Sequence, residues 1–383
     1  MKSPNEVAFN RPFLSGKELK YIQEAVTGGT ISGDGIFTKK CHAYFKENYG
    51  FHSCLLTTSC TDALEMSAIL ANISAGDEVI VPSFTFVSTA NAFVLRGAKV
   101  VFADSTSEHP NISIHEILPL ITSKTKVIVV VHYAGIAVDM NPILEVARQK
   151  GIFVIEDAAQ AIDSFYYGKP LGSLGDFSAF SFHETKNITS GEGGLLVCND
   201  AKNAARAEIV REKGTNRSAF FRGEINKYGW VDIGSSFLPS DIIAAFLYAQ
   251  LENLRAIQDR RIFLWNRYYD GLKELGSAGL DKVALPIIPS FAKNNAHCMF
   301  LVCHSLEERT ALINALRADE IGAVFHYQSL HKSEYYKDKH DGRTLKNADR
   351  YTDCLLRLPL YYSLTDQNAD RVVSLIMDFY RKF

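Results

Sequence analysis

Short, β-branched apolar runs separated by helix-length segments set the strongest limit on how this chain folds. Cys54-Leu55-Leu56, Val79-Ile80-Val81, Val100-Val101-Phe102, Val127 to Val131 and Phe153-Val154-Ile155 alternate with stretches whose apolar residues return at three and four. Runs without polar alternation are buried on both faces, which predicts an α/β fold with a mainly parallel central sheet covered by helices. Such a sheet collects ligands outside the carboxyl ends of its strands.

The residues at those ends are polar or aromatic. Thr58-Ser59-Cys60-Thr61-Asp62 follows the first run and opens a helix through Leu70. Hydroxyls and amides at a helix start can seat a phosphate, and equally can be a plain cap. Pro82-Ser83-Phe84-Thr85-Phe86, His132-Tyr133-Ala134-Gly135 and Glu156-Asp157-Ala158-Ala159-Gln160 follow later runs. Between Phe177 and Gly194 the chain reads FSAFSFHETKNITSGEGG: a short strand ending near Ser181, a single Lys186, and a glycine turn. A lysine held between a strand end and such a turn is restricted, and its amine can attack a carbonyl.

Ser15-Gly16-Lys17-Glu18 reads as a capping box before a helix from Lys17 to Thr27, and one long helix is expected from Ser240 to Leu275. A domain boundary near Arg255 divides the chain into 1–255, with the amino-terminal segment, and a smaller α/β unit over 256–383. The net charge of −2 and the lack of basic runs exclude a nucleic-acid partner. No apolar window approaches a membrane span and no apolar signal core is present, so a cytoplasmic location is expected. Seven cysteines without a C-x-x-C pair read as buried thiols, with no metal site.

Pyridoxal 5'-phosphate makes four demands that these strand ends could meet. Lys186 would bind its aldehyde and Asp157 would keep its pyridine nitrogen protonated. Ser59, Cys60, Thr61, Asp62 and Ser181 would seat its phosphate, and Phe86 would stack on its ring.

The order of these motifs resembles the fold-type I aminotransferases, and specifically the DegT/DnrJ/EryC1/StrS nucleotide-sugar aminotransferases. The resemblance is carried by Pro82 to Phe86, Glu156 to Gln160, Ser181-Phe182-His183 with Lys186, Gly191 to Gly194, His326-Tyr327 with Leu330-His331, and Arg357 to Leu360. It implies amino transfer from L-glutamate to a dTDP-keto sugar, with Lys186 as the catalytic residue. It also implies that Gln160 approaches the ring hydroxyl and that the site is shared across a homodimer, with the loop around Ser236 coming from the other subunit. His183, Arg217, His326, Tyr327 and His331 are candidate substrate contacts. Relatives commonly carry asparagine and, two positions on, arginine in that loop; this chain has Ser236 and Leu238. Sugar dehydratases that resemble this chain have histidine where Lys186 stands. A change of sugar or nucleotide, and a non-enzymatic binding protein on the same fold, stay open as alternatives.

Overall fold

The computed structural model describes residues 5–277 and 282–382. All five apolar runs are strands: β1 (Ser53–Thr57), β2 (Glu78–Pro82), β3 (Lys99–Ala103), β4 (Thr125–Val131) and β5 (Phe153–Asp157). With β6 (Phe177–Ser181) and β7 (Gly194–Cys198) they form a seven-stranded sheet in the order β1-β7-β6-β5-β4-β2-β3. Neighbours from β6 to β3 are parallel, whereas β7 runs antiparallel to both β6 and β1. An antiparallel return needs no crossover helix. The link between β6 and β7 is therefore a loop, and Lys186 lies on it.

Side-chain parity sorts the core into two faces. Leu55, Val79, Val81, Val127 and Val129 pack on one side, beneath α3 (Cys60–Leu70) and α4 (Ser88–Val94). Leu56, Ile80, Ile128 and Val130 pack on the other, beneath α2 (Ile36–Tyr49) and α5 (Asp241–Leu251). A smaller antiparallel sheet holds β8 (Met299–Val302), β9 (Val324–Phe325) and β10 (Leu355–Leu358), with β10 in the middle. Its core is shared with α6 (Leu254–Leu272) and α7 (Asp366–Lys382), and also with Val7, which bridges to Ile321. The amino-terminal segment thus contributes to the core of the smaller sheet, although the sequence groups it with the larger unit.

Two local expectations change. The single helix over Ser240 to Leu275 is broken into α5 and α6 around Asn253, whose side-chain amide donates to the Ala249 carbonyl at 2.8 Å. An asparagine that bonds its own backbone competes with helix continuation. At the first helix, α1 (Glu18–Thr27), Glu18 does reach back to the Ser15 and Gly16 amides at 2.7 and 2.9 Å. Ser15 Oγ, however, accepts from the Lys17 amide rather than from an amide of the helix, so only half of the box forms.

Glu156 and Asp157, adjacent on β5, point to opposite faces. Glu156 is fully buried and accepts from His132 Nε2 at 3.0 Å and from the amides of Gly172, Leu174 and Gly175 at 2.7–2.8 Å. His132 Nδ1 accepts from the Val138 amide, so the ring proton sits on Nε2. Burial pushes the Glu156 carboxyl up, but His132 and the loop amides outweigh it and leave the group below its ordinary range. A depressed folded value means stability that is complete above the unfolded value of about 4.3 and lost as the pH falls through the folded one. Glu156→Gln turns an amide nitrogen toward these donors. Its unfolding free energy is expected to drop by about 3 kcal/mol or more at neutral pH, with a flatter acid limb in thermal melts recorded across pH. Equal stability of the two proteins at pH 7 would refute this account.

Candidate active site

The parallel strands bring their carboxyl ends to one edge, and a cavity of about 800 Å³ opens there. Its wall holds Thr61, Asp62, Phe86, Asp157, Gln160 and Ser181, and with them His183, Lys186, His326 and Tyr327. Residues separated by more than two hundred positions thus meet in one chamber.

Lys186 brings an amine into this space. It follows a turn closed by its amide donating to the His183 carbonyl at 2.9 Å. Its pKa is lowered, foremost by burial; the Cys60 thiol and the Asp157 carboxylate oppose the shift, and the positive charge of Arg357 adds to it. An amine with a larger neutral fraction is a better nucleophile and proton carrier.

Asp157 is 5% exposed and firmly held: Thr89 Oγ1 donates to it at 2.7 Å and the Ala159 amide at 3.1 Å. Burial nevertheless raises its pKa. A buried carboxylate of this kind is well placed to receive a cationic N–H from a ligand. Gln160 is also fixed, accepting from the Ala134 amide at 2.6 Å and donating to Tyr327 Oη at 2.8 Å.

The helix start places hydroxyls and backbone amides on the cavity wall. Ser59 caps α3, its Oγ accepting from the Asp62 amide at 3.1 Å, while Thr61 Oγ1 pairs with Ser88 Oγ at 2.8 Å. Gly194 lets β7 run against this turn: a Cβ there would lie 2.3 Å from the Ser59 carbonyl oxygen. The glycine run therefore gives the seat its room. Asp62 fits a phosphate less well than the sequence indicates, because Ser59 takes its amide and Thr58 donates to its carboxylate. Phe86 is 56% exposed on the cavity wall with its ring centroid 6.2 Å from that of Tyr327. A buried carboxylate, a nucleophilic amine, hydroxyls at a helix start and an aromatic wall together fit pyridoxal phosphate, which would be held by Lys186, Asp157, Thr61 and Ser181.

Three expected residues lie elsewhere. Ser236 and Arg217 sit in a separate pocket of about 330 Å³ with Asp34, Glu212 and Leu238, where Arg217 Nη1 donates to Glu212 at 3.3 Å. His331 is buried: its Nδ1 pairs with Ser83 Oγ at 2.7 Å and its Nε2 lies 3.6 Å from Asp349, so it braces the interior and does not face the cavity. Conversely, sequence reading missed Asn10, Thr85, Ser88, Thr89, His297 and Arg357 as part of the site or its support. Two of them had a visible signal: Thr85 in the strand-end run Pro82 to Phe86, and Arg357 as an arginine inside the apolar run Leu355-Leu356-Arg357-Leu358.

The DegT/DnrJ/EryC1/StrS aminotransferase family model matches residues 12–377. The uncharacterized protein MJ1066 of Methanocaldococcus jannaschii is 31% identical over 374 residues, covering 96% of this chain and 95% of that protein. DesV of S. venezuelae, solved in complex with a ketimine intermediate, superposes with a TM-score of 0.89 at 27% identity over 99% of each chain. Spr1654 of Streptococcus pneumoniae in its PLP form gives 0.89 at 25% identity, over 98% of this chain and 99% of that one. Fold, cavity and family agree across the whole length: the chain belongs to the DegT/DnrJ/EryC1/StrS family of sugar aminotransferases, enzymes that depend on pyridoxal phosphate.

Proposed function

We propose that this enzyme transfers the amino group of L-glutamate to C4 of dTDP-4-dehydro-6-deoxy-D-glucose, giving dTDP-4-amino-4,6-dideoxy-D-galactose. The observation that carries the reading is the placement of Lys186 and Asp157 in one chamber of about 800 Å³, within the usual size of a ligand site. The choice of sugar rests on similarity to the dTDP-4-amino-4,6-dideoxygalactose transaminases of enterobacterial common antigen synthesis. That similarity is carried by Ser83 to Lys99, Ser181 to Asn187 and Arg211 to Arg217.

The cofactor supplies an aldehyde that takes up the amino group and a ring that accepts the electrons released at carbon. Lys186 would hold that aldehyde, and its amine would serve as the base and then the acid at the reacting substrate carbon. Asp157, fixed by Thr89, would keep the ring nitrogen protonated; Gln160 would meet the ring hydroxyl and Phe86 would cover the ring. Thr61 and Ser181 would hold the phosphate. His183, His326 and Tyr327 line the space left for substrate. His326 is kept well below its ordinary pKa, chiefly by burial and then by Arg357 and Lys186, so it faces substrate as a neutral ring. In a homodimer, Ser236 and Arg217 would border the partner's cavity, with Leu238 withholding the charge that relatives place there.

Incubation with L-glutamate and a panel of dTDP-, GDP- and UDP-linked keto sugars tests the reading. NMR of the amine-bearing carbon is expected to show an axial amine at C4 of the dTDP sugar. An inert dTDP substrate beside a reactive GDP or UDP sugar would overturn the assignment.

A further inference from the structure

His297 lines the chamber two residues before β8 and is 8% exposed, and nothing in the proposed reaction uses it. Its neighbours fix where its proton sits. Asn187, which directly follows Lys186, donates through Nδ2 to Gln258 Oε1 at 2.8 Å and to the Asn295 carbonyl at 2.9 Å. A carbonyl can only accept, so the amide has one orientation and its Oδ1 is the atom that meets His297 Nδ1 at 2.8 Å. The ring proton is therefore on Nδ1. Burial, followed by the positive charges of Lys186, Arg261 and Arg357, holds the imidazole well below its ordinary pKa, so it is neutral and Nε2 is a bare acceptor. That nitrogen has no hydrogen-bond partner among the described residues. The backbone gives the ring no freedom to find one: the His297 amide donates to Asn295 Oδ1 at 3.0 Å and its carbonyl accepts from Arg261 at 2.6 Å. Ala296 before it is held at φ +51°, a left-handed conformation that disfavours a side chain. A neutral ring fixed this firmly in a ligand cavity, with one open lone pair, is an unmet demand for a donor.

We infer that His297 sets the specificity for the sugar by accepting a hydrogen bond, through Nε2, from the hydroxyl on the carbon beside the keto carbon. This rests on a hydroxylated keto sugar as the amino acceptor and deepens the proposed function, whichever nucleotide the sugar carries. Chemistry narrows the partner first. Carboxylates, phosphates and ketones only accept, so glutamate's carboxylates, the diphosphate and the keto oxygen all fail to satisfy Nε2. Glutamate's amine is the group transferred and is spent in the reaction. Sugar hydroxyls are left. Position narrows the partner further, because Asn187 is the chain neighbour of Lys186, whose amine works at the reacting carbon, and the charge on Lys186 reaches His297. The nearest hydroxyl is then the one on the adjoining carbon, which is C3 for a 4-keto pyranose, since C5 carries none. Such an acceptor discriminates strongly: a sugar without the hydroxyl leaves the buried nitrogen unpaired.

Two substitutions separate this role from a structural one. Asparagine keeps a donor toward Asn187 and has nothing at Nε2, whereas glutamine can place an amide oxygen near Nε2 and gives up the bond to Asn187. The cofactor-loaded wild type, His297→Asn and His297→Gln, matched for melting temperature and cofactor content, each receive the reactive nucleotide keto sugar and its analogue with hydrogen in place of the adjoining hydroxyl. Wild type is expected to prefer the hydroxylated sugar in kcat/KM by about tenfold or more. His297→Asn should bring that preference to within about threefold, and His297→Gln should keep most of it. Calorimetric affinities for the two corresponding amino sugars should follow the same order, a readout that needs no turnover. Because each comparison is a ratio of two sugars on one protein, any effect of the substitution on Lys186 or on glutamate cancels. A wild type that does not distinguish the two sugars would overturn the inference. So would a His297→Asn that loses equally on both, which would make His297 a support for the Lys186 loop. If His297→Asn does not fold, the wild-type ratio and His297→Gln still decide. An inert dTDP sugar beside a reactive GDP or UDP sugar would instead overturn the proposed substrate, and the comparison then runs on the sugar that reacts.

Discussion

Lys186→Ala is expected to abolish amino transfer, lowering turnover by at least about 10⁴-fold, the upper range for a positioned acid-base group. Two losses combine. Alanine has no amine to hold the cofactor's aldehyde, so borohydride treatment, which fixes such a link in the wild type, should leave the variant's mass unchanged. It also removes the group that moves the proton at the reacting carbon. Lys186→Arg separates charge from chemistry: it restores a cation beside Asp157 but not a nucleophile, and should be as inactive as alanine. The cavity should still bind cofactor without a covalent bond, because Asp157, Thr61 and Ser181 are untouched. Wild-type turnover by Lys186→Ala would remove Lys186 from the mechanism and leave the fold assignment standing.

What was legible in the sequence follows from the range of each interaction. Strands β1 to β5 are written in unbroken apolar runs because burial on both faces is a local demand on composition. The positions of Lys186, Asp157 and Phe86 were legible because strand ends are local features and the sheet carries all of them to one edge. Side-chain partnerships were not. Glu156 and Asp157 look alike as neighbours, and only the loop at Gly172 to Gly175 shows that one of them is structural. His331 looked like a strand-loop ligand until Ser83 and Asp349 were seen to occupy its ring nitrogens. Thr89 was invisible as a support for Asp157 because their contact spans α4 and β5. The break at Asn253 is a single side-chain bond that helical periodicity does not register.

Asp157→Asn should reduce the rate of amino transfer by about 10²–10³-fold, the usual cost of removing a preorganised electrostatic partner. The two side chains are nearly the same size, so the cavity keeps its shape and cofactor content should change little. What is lost is charge. An amide cannot balance a protonated ring nitrogen, and a neutral ring is a poorer acceptor for electrons released at carbon. The loss should appear in both half-reactions. Thr89→Val supplies the graded case: it deletes one hydrogen bond to the carboxylate at 2.7 Å, and about 1–1.5 kcal/mol corresponds to roughly a tenfold effect. Set beside Glu156→Gln, these variants make opposite demands on adjacent residues of one strand. Position 157 should alter rate with little change in melting temperature, and position 156 should alter melting temperature with little change in the rate of the folded protein. If Asp157→Asn turned over within threefold of wild type, the ring nitrogen would have no need of the carboxylate, and the electrostatic part of the proposed mechanism would fall.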